Sequence, residues 1–159
     1  MKYYVFLLML LGVLWSCEED DICDEGKSPR MYLKFRNIDE QSAERMDSIY
    51  LWRQNTAGDF ELYIFKAKTA AEDSVLVPLP IVEVTEAYFV ISPKRYDVET
   101  RDTLKVDYQR VLDFGSKACG YKVNYLNVNY EISNRFFVGS EVIDTNITDE
   151  ETPDLLLYY

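Results

Sequence analysis

A chain of 159 residues with a formal net charge of −11 and no histidine has room for one domain and lacks the tools for two large classes of function. Its surplus of acid repels phosphates, so nucleic acid is not an expected partner. Without histidine, Ser-His-Asp and Cys-His catalysis cannot be assembled and the commonest zinc ligand is missing; we therefore expect neither an enzyme nor a bound metal or cofactor.

The chain begins with a cation, Lys2, and a ten-residue apolar run from Val5 to Leu14. That is the length of a secretory h-region and half of what a membrane-spanning helix needs, about 20 residues. The junction that follows, Leu14-Trp15-Ser16-Cys17, resembles a bacterial lipobox: a branched apolar residue three before the cysteine and a small one just before it. The resemblance implies cleavage before Cys17 and lipid on that cysteine. Several acyl chains at about 0.8 kcal/mol per buried CH₂ make such an anchor nearly permanent. The acidic run Glu18 to Asp21 reads either as a solvated linker or, by similarity, as the surface-export signal of Bacteroidetes lipoproteins. We divide the chain into a signal peptide (1–16), a lipidated cysteine with a short acidic linker (17–29) and one domain (30–159).

Strands dominate that domain. Arg30 to Arg36 alternates strictly, with Met31, Leu33 and Phe35 on one side and the cations Arg30, Lys34 and Arg36 on the other. Ser48 to Arg53 and Phe60 to Phe65 read as a hairpin around Asn55, Gly58 and Asp59. Placing Leu51 opposite Leu62 gives it one aliphatic face and one aromatic face of Tyr50, Trp52, Tyr63 and Phe65. Ser74 to Ile81 carries Pro78 and Pro80 and so belongs at a sheet edge or a strand end. Glu86 to Ser92 and Thr103 to Gln109 are further strands. From Ala118 to Ile132 the apolar parity changes partway, from Tyr121, Val123 and Tyr125 to Leu126, Val128, Tyr130 and Ile132. This predicts a β-bulge near Tyr125-Leu126, or two strands joined there. Phe136 to Ile143 and Leu155 to Tyr159 complete the set, with a solvated acidic loop, 144–153, between them. Eight or nine short strands with no convincing helix give an all-β fold, an antiparallel β-sandwich of immunoglobulin-like size.

Three cysteines are an odd count for an exported chain. With Cys17 lipidated, Cys23 and Cys119 remain, either as a disulfide or as two buried thiols. A bond between them would close a loop of nearly a hundred residues, worth about 4–5 kcal/mol in the chain-entropy model. Cys17-Glu-Glu-Asp-Asp-Ile-Cys23 with Ser28-Pro29-Arg30, and Phe114-Gly-Ser-Lys-Ala-Cys119-Gly-Tyr-Lys122, together resemble a Bacteroidetes family of small outer-membrane lipoproteins of unknown function. The resemblance implies an envelope location and a Cys23–Cys119 pair, and carries no reaction.

Asp144, Asn146 and Thr148 alternate like the start of a calcium loop but lack its glycine and its closing glutamate; we read no metal site there. Two surfaces are candidates for binding. The cations Arg30, Lys34 and Arg36 suit a partner's carboxylates. The aromatic face of Tyr50, Trp52, Tyr63 and Phe65 suits sugar rings. We therefore expect a non-enzymatic, lipid-anchored protein of the outer membrane, on its periplasmic face or at the cell surface. It would bind or support another envelope protein, with glycan binding as the alternative.

Overall fold

The computed structural model describes residues 27–38, 48–67, 73–82, 84–93, 97 and 99–159, without the side chains of 65–67. The expected signal peptide, Cys17, the acidic run and Cys23 lie outside the described residues. Among those described there are nine strands: β1 (Met31–Arg36), β2 (Ser48–Gln54), β3 (Phe60–Ala67), β4 (Ser74–Val77), β5 (Glu86–Ser92), β6 (Asp102–Phe114), β7 (Tyr121–Ile132), β8 (Gly139–Val142) and β9 (Leu155–Tyr158). They form a four-stranded sheet, β4-β1-β9-β8, packed on a five-stranded sheet, β3-β2-β5-β6-β7. The fold is an all-β sandwich.

Alternation decides which residues enter it. Met31, Leu33 and Phe35 from β1 meet Leu51, Phe89, Ile91, Leu104 and Val106 from the facing sheet, all essentially inaccessible to water. Each such side chain contributes about 1.5–3 kcal/mol on burial. The edge strand β4 stops at Val77, where Pro78 can no longer donate to the ladder.

One pairing departs from the antiparallel expectation. The first and last strands lie side by side in parallel, Leu33 beside Leu155 and Phe35 beside Leu157. Apolar alternation places a residue in or out of the core but carries no strand direction. The run Leu155-Leu156-Leu157, buried at all three positions, is what a strand covered on both faces requires.

The parity change in β7 is a bulge. Asp107 pairs with Asn129 and Gln109 with Leu126, so two residues, Asn127 and Val128, oppose Tyr108. The break falls just after the expected position, at Asn127, whose φ of 51° lies in the left-handed region that asparagine tolerates. The acidic loop is not fully solvated either. Ile147 bridges to Tyr125 through two backbone hydrogen bonds, 2.8 and 3.1 Å, and its side chain is inaccessible.

Two buried carboxylates hold the ends of this arrangement, and their chemistry is opposite. At the start of β6, Asp102 accepts the amides of Arg135 (2.6 Å), Phe136 (2.8 Å) and Phe137 (2.9 Å) and the hydroxyl of Ser133 (2.7 Å). Burial alone would push this carboxyl up; the four donors outweigh it and hold it below its ordinary value. The turn that it binds carries the chain from one sheet to the other and seats Phe137 in the core against Phe35, with ring centroids 5.8 Å apart. Asp154, just before β9, accepts one described bond, from the amide of Tyr32 at 2.6 Å. Burial, with Asp144 and Asp149 nearby, pushes it up to about 7.

These directions set a pH profile. The Asp102 carboxylate stabilises the fold above its unfolded value near 3.8, and that contribution is lost as pH falls through its lower folded value. Asp154 binds its proton more tightly when folded, so its term weakens the fold as pH rises from about 4 to about 7. Asp154→Asn should therefore raise unfolding free energy by about 1–3 kcal/mol at pH 8 and leave it nearly unchanged at pH 4. Asp102→Asn, which turns one acceptor into a donor facing backbone amides, should cost about 2–4 kcal/mol at pH 7. Urea melts at the two pH values measure both.

Candidate functional site

The two expected binding surfaces fare differently. Two of the three cations along β1, Arg30 and Lys34, are engaged by carboxylates of the chain. Arg30 forms a two-point pair with Glu150, Nε to Oε1 at 2.8 Å and Nη2 to Oε2 at 2.6 Å, and its own amide adds a third bond at 3.0 Å. The side-chain bond raises the Arg30 pKa and lowers that of Glu150. Lys34 lies 3.3 Å from Asp73. Arg36 is level with Tyr158 in the β1–β9 ladder, with its Nε buried. The cleft of about 710 Å³ at the end of this stripe is lined by Arg30, Glu150, Lys27 and Lys122 among others, so the paired ions form part of its wall.

The aromatic face is real but differently composed. A second bulge, in the β2–β3 hairpin, sets Leu51 opposite Ile64 and Trp52 opposite Leu62. The expected Leu51–Leu62 register therefore fails, and Tyr63 leaves the face. It turns inward, packs against the core, lies under the guanidinium of Arg53 at 4.3 Å, and donates to the Pro78 carbonyl at 3.5 Å. Tyr50 and Phe65 stay opposite one another, though the Phe65 side chain lies outside the described set.

The outer face of the five-stranded sheet then reads, in one row across four strands, Leu62, Trp52, Val90 and Thr103. Tyr50 stacks beside Trp52 at 6.0 Å, and Phe60 and Leu62 are 43% and 45% exposed on the edge strand. A depression of about 310 Å³ lies here, lined by Trp52, Phe60, Val90, Thr103, Ser133 and two arginines, Arg101 and Arg135. The guanidinium of Arg101 sits 4.9 Å from the Trp52 ring centroid, a cation–π contact. Arg135 arrives from the turn bound to Asp102, and Ser133 is tied to Thr103 in both directions, at 3.0 and 3.1 Å. Towards β7 the same face becomes ionic, with Lys105 bonded to Asp107 at 3.0 Å. Trp52, Phe60, Leu62 and Val90 thus gather at the β3–β2–β5 end.

The two arginines were not foreseen. They stand in turns, one before β6 and one after β7, and no periodicity connects them to the hairpin. Other features do not converge on chemistry. Tyr108 and Tyr125 meet edge to face at 5.2 Å, and burial pushes the Tyr125 phenol up to about 12, so it keeps its proton at neutral pH. Among the described residues no three His, Cys, Asp or Glu side chains converge to hold a metal. In the acidic loop, Asp144 accepts the amide of Asn146 at 2.8 Å, the bond of an Asx turn.

The model of a family of unknown function, DUF6452, matches residues 42–159. The chain belongs to that family. Neither the curated proteins nor the solved structures contain a match.

The Trp52 surface is separable from the core. Trp52→Ala should cost no more than about 1–1.5 kcal/mol of stability, because its ring is only partly covered. Phe89→Ala, at a position with no exposure, should cost about 3–5 kcal/mol. Chemical denaturation of the two variants gives the comparison.

Proposed function

We propose that this is a non-enzymatic, lipid-anchored protein of the bacterial outer membrane that binds another envelope protein, and that the Trp52 depression is the contact surface. The observation that carries the reading is the composition of that depression. Trp, Tyr and Arg are the residues that dominate the energetics of protein interfaces, and here Tyr50, Trp52, Arg101 and Arg135 surround a small apolar centre next to exposed Phe60 and Leu62. The β1 stripe recommends itself less, since Arg30 and Lys34 already have carboxylate partners. The glycan alternative needs an open aromatic ring, and Arg101 already occupies the space against Trp52.

The anchor is part of the same proposal. It rests on Leu14, Ser16 and Cys17 and on the likeness to Bacteroidetes lipoproteins. A Cys23–Cys119 disulfide is supported by one contact: Ser28, five residues after Cys23, accepts the amide of Val123, four residues after Cys119, at 2.8 Å. The oxidising envelope would preserve such a bond.

Three measurements test this. Purified from its host envelope, the native protein should bring one recurrent partner in stoichiometric amount, and Trp52→Ala with Arg135→Ala should lose it. Recovery unchanged by the double variant would place the contact elsewhere. With Trp52 the only tryptophan after residue 16, a saturable fluorescence change on adding oligosaccharides would favour the glycan reading; we expect none. Mass spectrometry of the unreduced protein should find acylated Cys17 and a linked Cys23–Cys119 peptide pair, and two free thiols would refute the pair.

A further inference from the structure

Past the sandwich, β6 and β7 continue as a hairpin whose tip is apolar on one face. Phe114 pairs with Tyr121, their rings 5.1 Å apart, and Leu112 pairs with Val123. Leu112, Phe114 and Tyr121 are 63%, 54% and 69% exposed. On the core side this row continues into Val123 and Tyr125, both buried, so it is the inner face of the sheet prolonged beyond its cover. Ile81 and Val82, also mostly exposed, adjoin it, because Arg110, two residues before Leu112, donates to the Ile81 carbonyl. The turn is tightly made: Cys119 and Gly120 donate to Ser116, at 3.1 and 2.8 Å, and Gly120 takes a φ of 71°.

We propose that this tip, Leu112, Phe114 and Tyr121, inserts into the interface of the membrane that holds Cys17. The proposal rests on the lipid-anchor reading above. Two observations select a membrane over other occupants. First, the chain leading back to Cys17 leaves the domain at this end: Ser28 is bonded to Val123, the partner of Leu112. Ser28 is eleven steps along the chain from Cys17, a reach of at most about 40 Å, and a Cys23–Cys119 bond would shorten it further. Second, the intervening sequence offers such a strip little apolar surface. Between Cys17 and Ser28 it carries Glu18, Glu19, Asp20, Asp21, Asp24 and Glu25, with Ile22 as its one large apolar residue. Two aromatics and a leucine on one face, with Lys117 in the turn and the Lys122–Asp113 pair, 3.6 Å apart, on the other face, are a mixture that settles at a lipid–water boundary, rings at the headgroups and charges towards water. With the tip inserted, the domain would stand on two points, and the Trp52 surface would hold a fixed orientation to the bilayer.

The test uses the full mature lipidated protein in phosphatidylcholine vesicles with brominated acyl chains, which quench tryptophan on contact. In a Trp52→Phe background, Phe114→Trp and Tyr121→Trp report on the tip and Leu62→Trp on the outer face. Thermal melts within a few degrees of the parent establish that each variant is folded. Emission from both tip reporters should fall by at least half relative to unbrominated vesicles, and that from Leu62→Trp by less than a tenth. Protein that floats with vesicles while both tip reporters stay unquenched would overturn the insertion and leave the anchor standing. Native protein with no lipid on Cys17 would overturn both. A blue shift of tip emission without vesicles that grows with protein concentration would assign the strip to a second copy and likewise overturn the proposal.

Discussion

The Asp102 carboxylate is the constraint on which most of the structure depends. It is fully buried and ionised, held by three backbone amides and a hydroxyl from the turn at 133–137. That turn is where the chain leaves the five-stranded sheet for β8. Fixing it inserts Phe137 between the sheets and sets the position from which β8 and β9 are reached. A carboxylate taken out of water is expensive unless its oxygens are fully engaged, and here the donors lower its pKa in spite of burial. The same bond to the Arg135 amide brings Arg135 beside Arg101 and Trp52. Fold and candidate binding surface therefore share one electrostatic origin.

Asp154 shows what happens when the donors are fewer. It too is buried, but Asp144 and Asp149 crowd it, and its carboxyl is pushed up to about 7. It sits where β9 meets β1, the parallel pair that joins the two ends of the domain. One buried acid thus stabilises the crossing between sheets at neutral pH, and the other weakens their closure as it loses its proton.

Much of this was legible in the residues. Alternation in Met31 to Arg36 and in Thr103 to Gln109 marks strands half-buried in a sandwich, and the parity change after Tyr125 betrays the β7 bulge. Other features have no local signature. The bulge opposite Trp52 adds one residue to β3, which flips Tyr63 to the inner face; side-chain type cannot reveal it, since Tyr63 suits either face. Parallel pairing of β1 with β9 leaves no mark on the alternating β1; only the unbroken Leu155–Leu157 run of β9 is in keeping with it, and that run carries no strand direction. Ile147 looked like part of a solvated loop because its neighbours are acidic, yet one isoleucine and two backbone bonds pin that loop to Tyr125. Arg101 and Arg135 reach Trp52 only through the Asp102 turn, a contact spanning more than thirty residues. The β1 cations were readable as a stripe, but Glu150 and Asp73, which neutralise Arg30 and Lys34, come from distant loops.

The central claim is that the Trp52 face meets a protein partner. The most direct measurement is photocrosslinking in intact cells, with a reactive side chain placed one position at a time on the outer face at Leu62 and Thr103, and on β1 at Tyr32 and Lys34. The account predicts one discrete adduct from Leu62 and Thr103, abolished by Arg135→Ala, and none from β1. Adducts from Tyr32 and Lys34 with none from Leu62 or Thr103 would contradict it.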